Sequence, residues 1–196
     1  MRRLGWIGLA VVMACGLGGE ALAVDTHIDV RVLSKGAKFI GTGVAGAEIT
    51  IRDAETSELL ARGKTVGNSG DDRRIMVESR PRHAPLSTPT SAVFRATLDL
   101  DEPRQVLVSA RGPLSQPQSI AVATVTQWIV PGKHITGGDG LTLELPGFSV
   151  DILYPPARQR VPAEQGRIEL RANVMMMCGC PIEPEGFWDA NAFEVV

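Results

Sequence analysis

The sequence predicts an all-β protein, an antiparallel β-sandwich preceded by an N-terminal signal helix. Three observations predict it. Short runs alternate apolar and polar side chains, the period of a half-buried strand. Clusters of Gly, Pro, Asp and Asn punctuate those runs. Helical periodicity with recognisable caps is nearly absent beyond the first two dozen residues.

The helix comes first. "MRRLGWIGLAVVMACGLGGEALA" starts with Arg2 and Arg3, runs apolar from Leu4 to Ala14 and ends in Ala21-Leu22-Ala23. A basic start, a short apolar middle and an A-x-A exit make a secretory signal peptide over residues 1–23. The apolar run is shorter than the roughly 20 residues that an ordinary transmembrane helix needs. Val12-Met13-Ala14-Cys15 also resembles a lipoprotein cleavage box, so a lipid anchor at Cys15 stands as the alternative. Both readings place the product outside the cytoplasm, periplasmic or secreted. Cleavage after Ala23 removes Arg2, Arg3 and Glu20 and takes the formal charge from −2 to −3. That balance provides neither the basic footprint of a nucleic-acid binder nor a polybasic membrane patch.

The strands follow in order. "THIDVRVL", "AEITIRD", "AVFRATLDL", "RQVLVSA", "AVATVTQWIV", "LTLELPGFSVDILY" and "GRIELRANVMM" each alternate and carry β-branched or aromatic residues. "ETSELLARG" is expected at a hairpin edge. Turns are expected at Gly67-Asn68-Ser69-Gly70, Asp101-Glu102-Pro103, Pro131-Gly132 and Gly137-Gly138-Asp139-Gly140. "SRPRHAPLSTPTSA", residues 79–92, holds three prolines and cannot pair as a central strand. It is a long surface connection or a binding loop. Residues 24–147 make one β-sandwich domain. Residues 148–196 add strands that complete it or form a partial Ig-like unit, whose open edges would invite a protein partner.

One segment carries a family resemblance. Gly46-Ala47-x-Ile49-x-Ile51-x-Asp53-x-x-Thr56, then Gly63-x-Thr65 and Gly70, resembles the repeat of carboxypeptidase-regulatory-like, transthyretin-type β-sandwich modules. Ser57 stands where that family usually has a turn glycine, and Asp71–Arg74 is charged where the family is aromatic. The resemblance covers about residues 43–70. It implies a transthyretin-like or Ig-like sandwich and an accessory binding module rather than a catalyst.

The chemistry concentrates in "NVMMMCGCPIEPEGFWD". Three of six methionines and two of three cysteines fall within Met175–Cys180. Strand alternation from Ile168 places Ile168, Leu170, Ala172, Val174, Met176 and Cys178 on a core face. Arg167, Glu169, Arg171, Asn173, Met175 and Met177 take the other face. Met175 and Met177 then stand about 7 Å apart where solvent-facing residues belong. Gly179 lets Cys180 swing toward them. Thioether and thiolate sulfurs are soft ligands, so Met175, Met177, Cys178 and Cys180 form a candidate Cu(I) site, with His134 as a further donor. The bland alternative packs the methionines beneath Phe187 and Trp188. A third reading is thiol–disulfide exchange, since a bridge between residues two apart is strained and reducible.

Elsewhere the signals are weaker. Trp128 and Trp188 are candidate sugar platforms or core residues. Asp139 and Asp71-Asp72 offer too few oxygens for calcium. His27, His83 and His134 lack metal-ligand spacing, and no serine sits in a nucleophile elbow. The expectation is an exported, non-catalytic binding or assembly module, possessing a soft-metal site or purely structural cysteines.

Overall fold

The computed structural model describes residues 22–162, 164 and 166–194. The expected signal helix, with Cys15, lies outside the described residues except for Leu22 and Ala23. From Val24 the chain forms a two-layer β-sandwich.

The first layer is built on β1 (Val24–Ser34), which pairs antiparallel with β4 (Phe94–Leu100) and parallel with β7 (Leu141–Leu145). The second runs in the order β3 (Leu59–Lys64), β2 (Glu48–Asp53), β5 (Arg104–Gly112), β6 (Ala121–Ile129), antiparallel throughout. The β1–β7 ladder, with Val30 opposite Leu141 and Val32 opposite Leu143, is the parallel exception to the antiparallel expectation. It arises because β6 and β7 belong to different layers, so the chain crosses the end of the sandwich before β7 returns beside β1.

Alternation decides which side chains meet. Ile28, Val30 and Val32 of β1, Leu98 and Leu100 of β4, and Leu143 and Leu145 of β7 point inward. They pack on Ile49 and Ile51 of β2 and on Val106, Val108 and Ala110 of β5. Each such aliphatic side chain contributes about 1.5–3 kcal/mol by leaving water.

Loop 79–92 lies along the first layer. The buried Arg31 donates through Nη1 to the carbonyls of Ser91 and Ala92, both at 2.8 Å. Asp139 accepts from the N–H groups of Leu86 and Ser87, also at 2.8 Å. Those amides occupy the oxygens that a calcium loop would have offered. A five-residue helix, α1 (Asp72–Met76), precedes this loop; Asp71 caps it by accepting from Arg74 N–H.

After Leu145 the chain forms a separate hairpin of β8 (Phe148–Tyr154) and β9 (Arg171–Met176), which joins neither ladder. It is held by a 3-10 turn, Pro117–Ser119. Ser119 Oγ bonds both N–H and carbonyl of Val150, and the Gln118 amide does the same for Ile152. These side chains replace the neighbouring strand that β8 lacks. The hairpin's apolar positions Val150, Ile152 and Val174 face solvent. Ile168 and Leu170, expected on a core face, precede β9 and are 56% and 66% exposed. The alternation is present in the sequence, but among the described residues no second layer covers it.

Candidate functional site

The site forms where β9 ends. Met176 is its last residue, and the chain then reverses over Met177–Gly179. Gly179 donates its N–H to Met176 O at 2.8 Å, and Met176 N–H bonds Cys180 O at 3.0 Å. Gly179 has φ +86, and a Cβ there would meet Val44 at 2.7 Å. Glycine is required on both counts. The tight reversal brings Cys180 back beside Cys178, with the two sulfurs 2.7 Å apart. Both cysteines are free and buried.

The reversal also separates the methionines. Met177 N–H bonds Gly147 O at 2.8 Å, and its side chain enters the main core. Met175 stays at the hairpin, where Gln116 Nε2 donates to its sulfur at 3.9 Å. Met176 packs with Ala37, Cys178, Cys180 and Trp188 in a second, smaller cluster. The four sulfurs of the expected Cu(I) set therefore do not gather on one face; only Cys178 and Cys180 come together. The strand period stops at Met176, so extrapolating it assigned Met177 to solvent. His134 is elsewhere too: its Nδ1 accepts from His27 N–H near the start of β1, and its ring stacks on His27. Among the described residues, no group of three or more His, Cys, Asp or Glu is placed to hold a metal ion.

Trp188 closes one side by donating Nε1–H to Gly36 O at 2.9 Å, just past the end of β1. It is core to this cluster rather than a sugar platform. Trp128 is 56% exposed and rims a separate polar cleft of about 300 Å3 with Asp53, Glu58, Glu102 and Arg104.

Beside the sulfurs lies Lys38, only 8% exposed, its ammonium paired with Asp72 of α1. The Lys38 and Cys180 main-chain N–H groups favour the Cys178 thiolate. The hydrogen bond between the two sulfurs, above all, holds the Cys178 thiol down to about 6. Burial opposes this, and the two N–H groups and the Lys38 charge add to it. The same bond, with burial and the neighbouring thiolate, drives Cys180 upward. The two thiols are therefore pushed in opposite directions, Cys178 toward the thiolate and Cys180 away from it. For Lys38, burial disfavours the charge, but Asp72 and the sulfurs outweigh it and raise its pKa.

Cys178 forms part of the lining of an open cleft of about 410 Å3. The rest comes from Gly41-Thr42-Gly43 and Gly67-Asn68-Ser69. A reagent reaching the sulfur meets no charged side chain in that lining. No family model, no curated protein and no solved structure matches this chain. What the site does must come from its own chemistry.

The sequence singled out Cys178 and Cys180 but missed Lys38, Asp72 and the glycine walls. One signal was available: Lys38 interrupts the apolar run Ala37-x-Phe39-Ile40, where a cation needs a partner.

Proposed function

We propose that this chain is an exported β-sandwich module whose work is done by Cys178 and Cys180 as a thiol–disulfide exchange pair. The observation that carries the reading is the arrangement of the two sulfurs: free, adjacent and set beside a cleft that Cys178 helps to line. Export is supported by the basic, apolar and Ala-Leu-Ala pattern of residues 1–23. An oxidising compartment is where such a pair would cycle.

The thiolate of Cys178 attacks one sulfur of a client disulfide. The client S–S bond breaks, a mixed disulfide to Cys178 forms, and the other client sulfur leaves as thiolate, taking a proton. Cys180, giving up its proton, then attacks the Cys178 sulfur. The client's second thiolate departs, leaving the client reduced and the Cys178–Cys180 bridge formed. Run backwards, the same steps oxidise a client dithiol. A bridge closing so small a ring is strained, which favours this backward, oxidising direction.

Alkylation of the reduced chain, followed by intact mass against pH, tests the reading. Cys178 should react first, with a midpoint near 6, and Cys180 should lag. In a Cys180→Ser variant, a peptide disulfide should trap a mixed disulfide on Cys178. A midpoint near 8.5, that of an ordinary cysteine, would remove the proposal.

A second reading, Cu(I) held by Cys178 and Cys180, is favoured by the packing of Met176 against both. Cuprous titration against a chelator separates the two. Retained affinity in a Met175→Leu, Met177→Leu variant would place the metal on the cysteines and Met176.

A further inference from the structure

We propose that the open edge of β9 is an interface with a second copy of this chain, paired antiparallel about a two-fold axis at Leu170. The dithiol plays no part in it. A two-stranded hairpin is marginal alone and gains stability when further strands join it. One edge of the β8–β9 hairpin is closed: the side chains of Ser119 and Gln118 occupy the main chain of β8 at Val150 and Ile152. The other edge is closed only at its end. There the returning chain bridges Pro181 to Met175, and Cys180 O accepts from Met176 N–H at 3.0 Å. Arg171–Val174 pairs with β8 on its inner side, and among the described residues no strand lies along its outer side. Residues 167–170 prolong that edge beyond the last rung of the ladder, Tyr154 opposite Arg171.

The side chains on this edge fit a copy of itself. Ile168 and Leu170, 56% and 66% exposed, share a face with Val174. Arg167, Glu169 and Arg171 share the opposite face, where Arg171 Nε donates to Glu169 Oε1 at 2.7 Å. Edges that resist pairing are blunted by charge, which repels a like edge. Here the sign alternates at every second position, so the edge is complementary to itself. With the axis at Leu170, Glu169 stands opposite the partner's Arg171, and symmetry repeats the pair. Leu170 meets the partner's Leu170, and Ile168 meets the partner's Ala172. An axis at Glu169 sets two glutamates against each other and Arg167 against the partner's Arg171. An axis at Arg171 opposes two arginines. Both are repulsive. An axis at Ile168 opposes unlike charges but leaves β9, from Arg171 onward, facing the loop before Arg167. The Leu170 axis alone joins β9 to β9 with every facing charge matched, and it turns two hairpins into one four-stranded sheet.

Analytical ultracentrifugation of the purified chain tests this, with reductant present so that cysteines cannot cross-link copies. A monomer–dimer equilibrium is expected at micromolar concentration. Glu169→Arg and Arg171→Glu each place like charges at both contacts and should weaken dimerisation by about tenfold or more. An equimolar mixture of those two variants should recover it, because every contact between the unlike chains is again arginine against glutamate. Leu170→Lys should abolish dimerisation. The three side chains are exposed, so these changes leave the sandwich core untouched. A wild-type chain that stays monomeric overturns the proposal. So does a Leu170→Lys chain, or either charge variant, that dimerises as the wild type does, or a mixture that associates no more tightly than its components.

Discussion

At the scale of single residues, the segment from Gly46 to Gly70 shows how small requirements fix a hairpin. Gly46, at φ +77, sits where a Cβ would strike Thr65 O at 2.4 Å, and Gly63 lies under the Phe94 ring. The buried Thr65 hydroxyl donates to Ile40 O and accepts from Ala47 N–H, joining β3 to the chain after β1. Ser57 occupies the β2–β3 turn with φ +64, a conformation that glycine adopts without strain. Relief of that strain is about 1–2 kcal/mol, offset by about 0.5–1 kcal/mol of added unfolded-state freedom. Ser57→Gly should therefore stabilise by about 0.5–1 kcal/mol, a rise in Tm of about 2–3 °C by calorimetry. The turn was legible in the sequence because its glycines and threonines act locally. Lys38 was not, because its partners are Asp72 and a sulfur pair far along the chain.

Among the elements, legibility followed layer coverage. β1, β2, β4, β5 and β7 alternate and are covered, so pattern and burial coincide. The Arg167–Leu170 run alternates as well, yet the hairpin it enters lies under no sheet. Period reports which residues share a face, and only tertiary structure says whether that face is dry. Loop 79–92 illustrates the converse, an irregular segment made orderly by two charged side chains. Burial raises the Asp139 pKa, but the Ser87 hydroxyl, the Leu86 and Ser87 amides and Arg31 outweigh it, so the net shift is downward. A depressed carboxylate contributes stability in full above its unfolded value of about 3.9 and loses it as pH falls through the folded value. Limited proteolysis should thus find the loop protected at neutral pH and cleavable under acid. Asp139→Asn should be cleaved within residues 79–90 already at pH 7.

Across the whole molecule, two cores meet at the reversal after β9. Met177 belongs to the sandwich interior and Met176 to the cysteine cluster, so adjacent residues tie the dithiol to the fold. Trp188 secures the far side through its single bond to Gly36. Trp188→Phe keeps an aromatic ring in the cluster but removes the indole N–H, and with it that bond, at the expense of some packing volume. Its expected result is local opening: faster native-state alkylation of Cys178 and Cys180, with amide exchange in β1, β2 and β5 unchanged. Equal acceleration at all these sites would show that the cluster opens only with global unfolding.

The placement of β1 has a consequence for how the chain reaches this state. Val24 finds its partner in Leu100, and Val30 waits for Leu141. In a chain made from its N-terminus, most of the first strand has no ladder partner until β4 is made, and its other edge waits for β7. Closure between partners so remote in sequence is intrinsically slow, and until it happens the apolar face of β1 is uncovered.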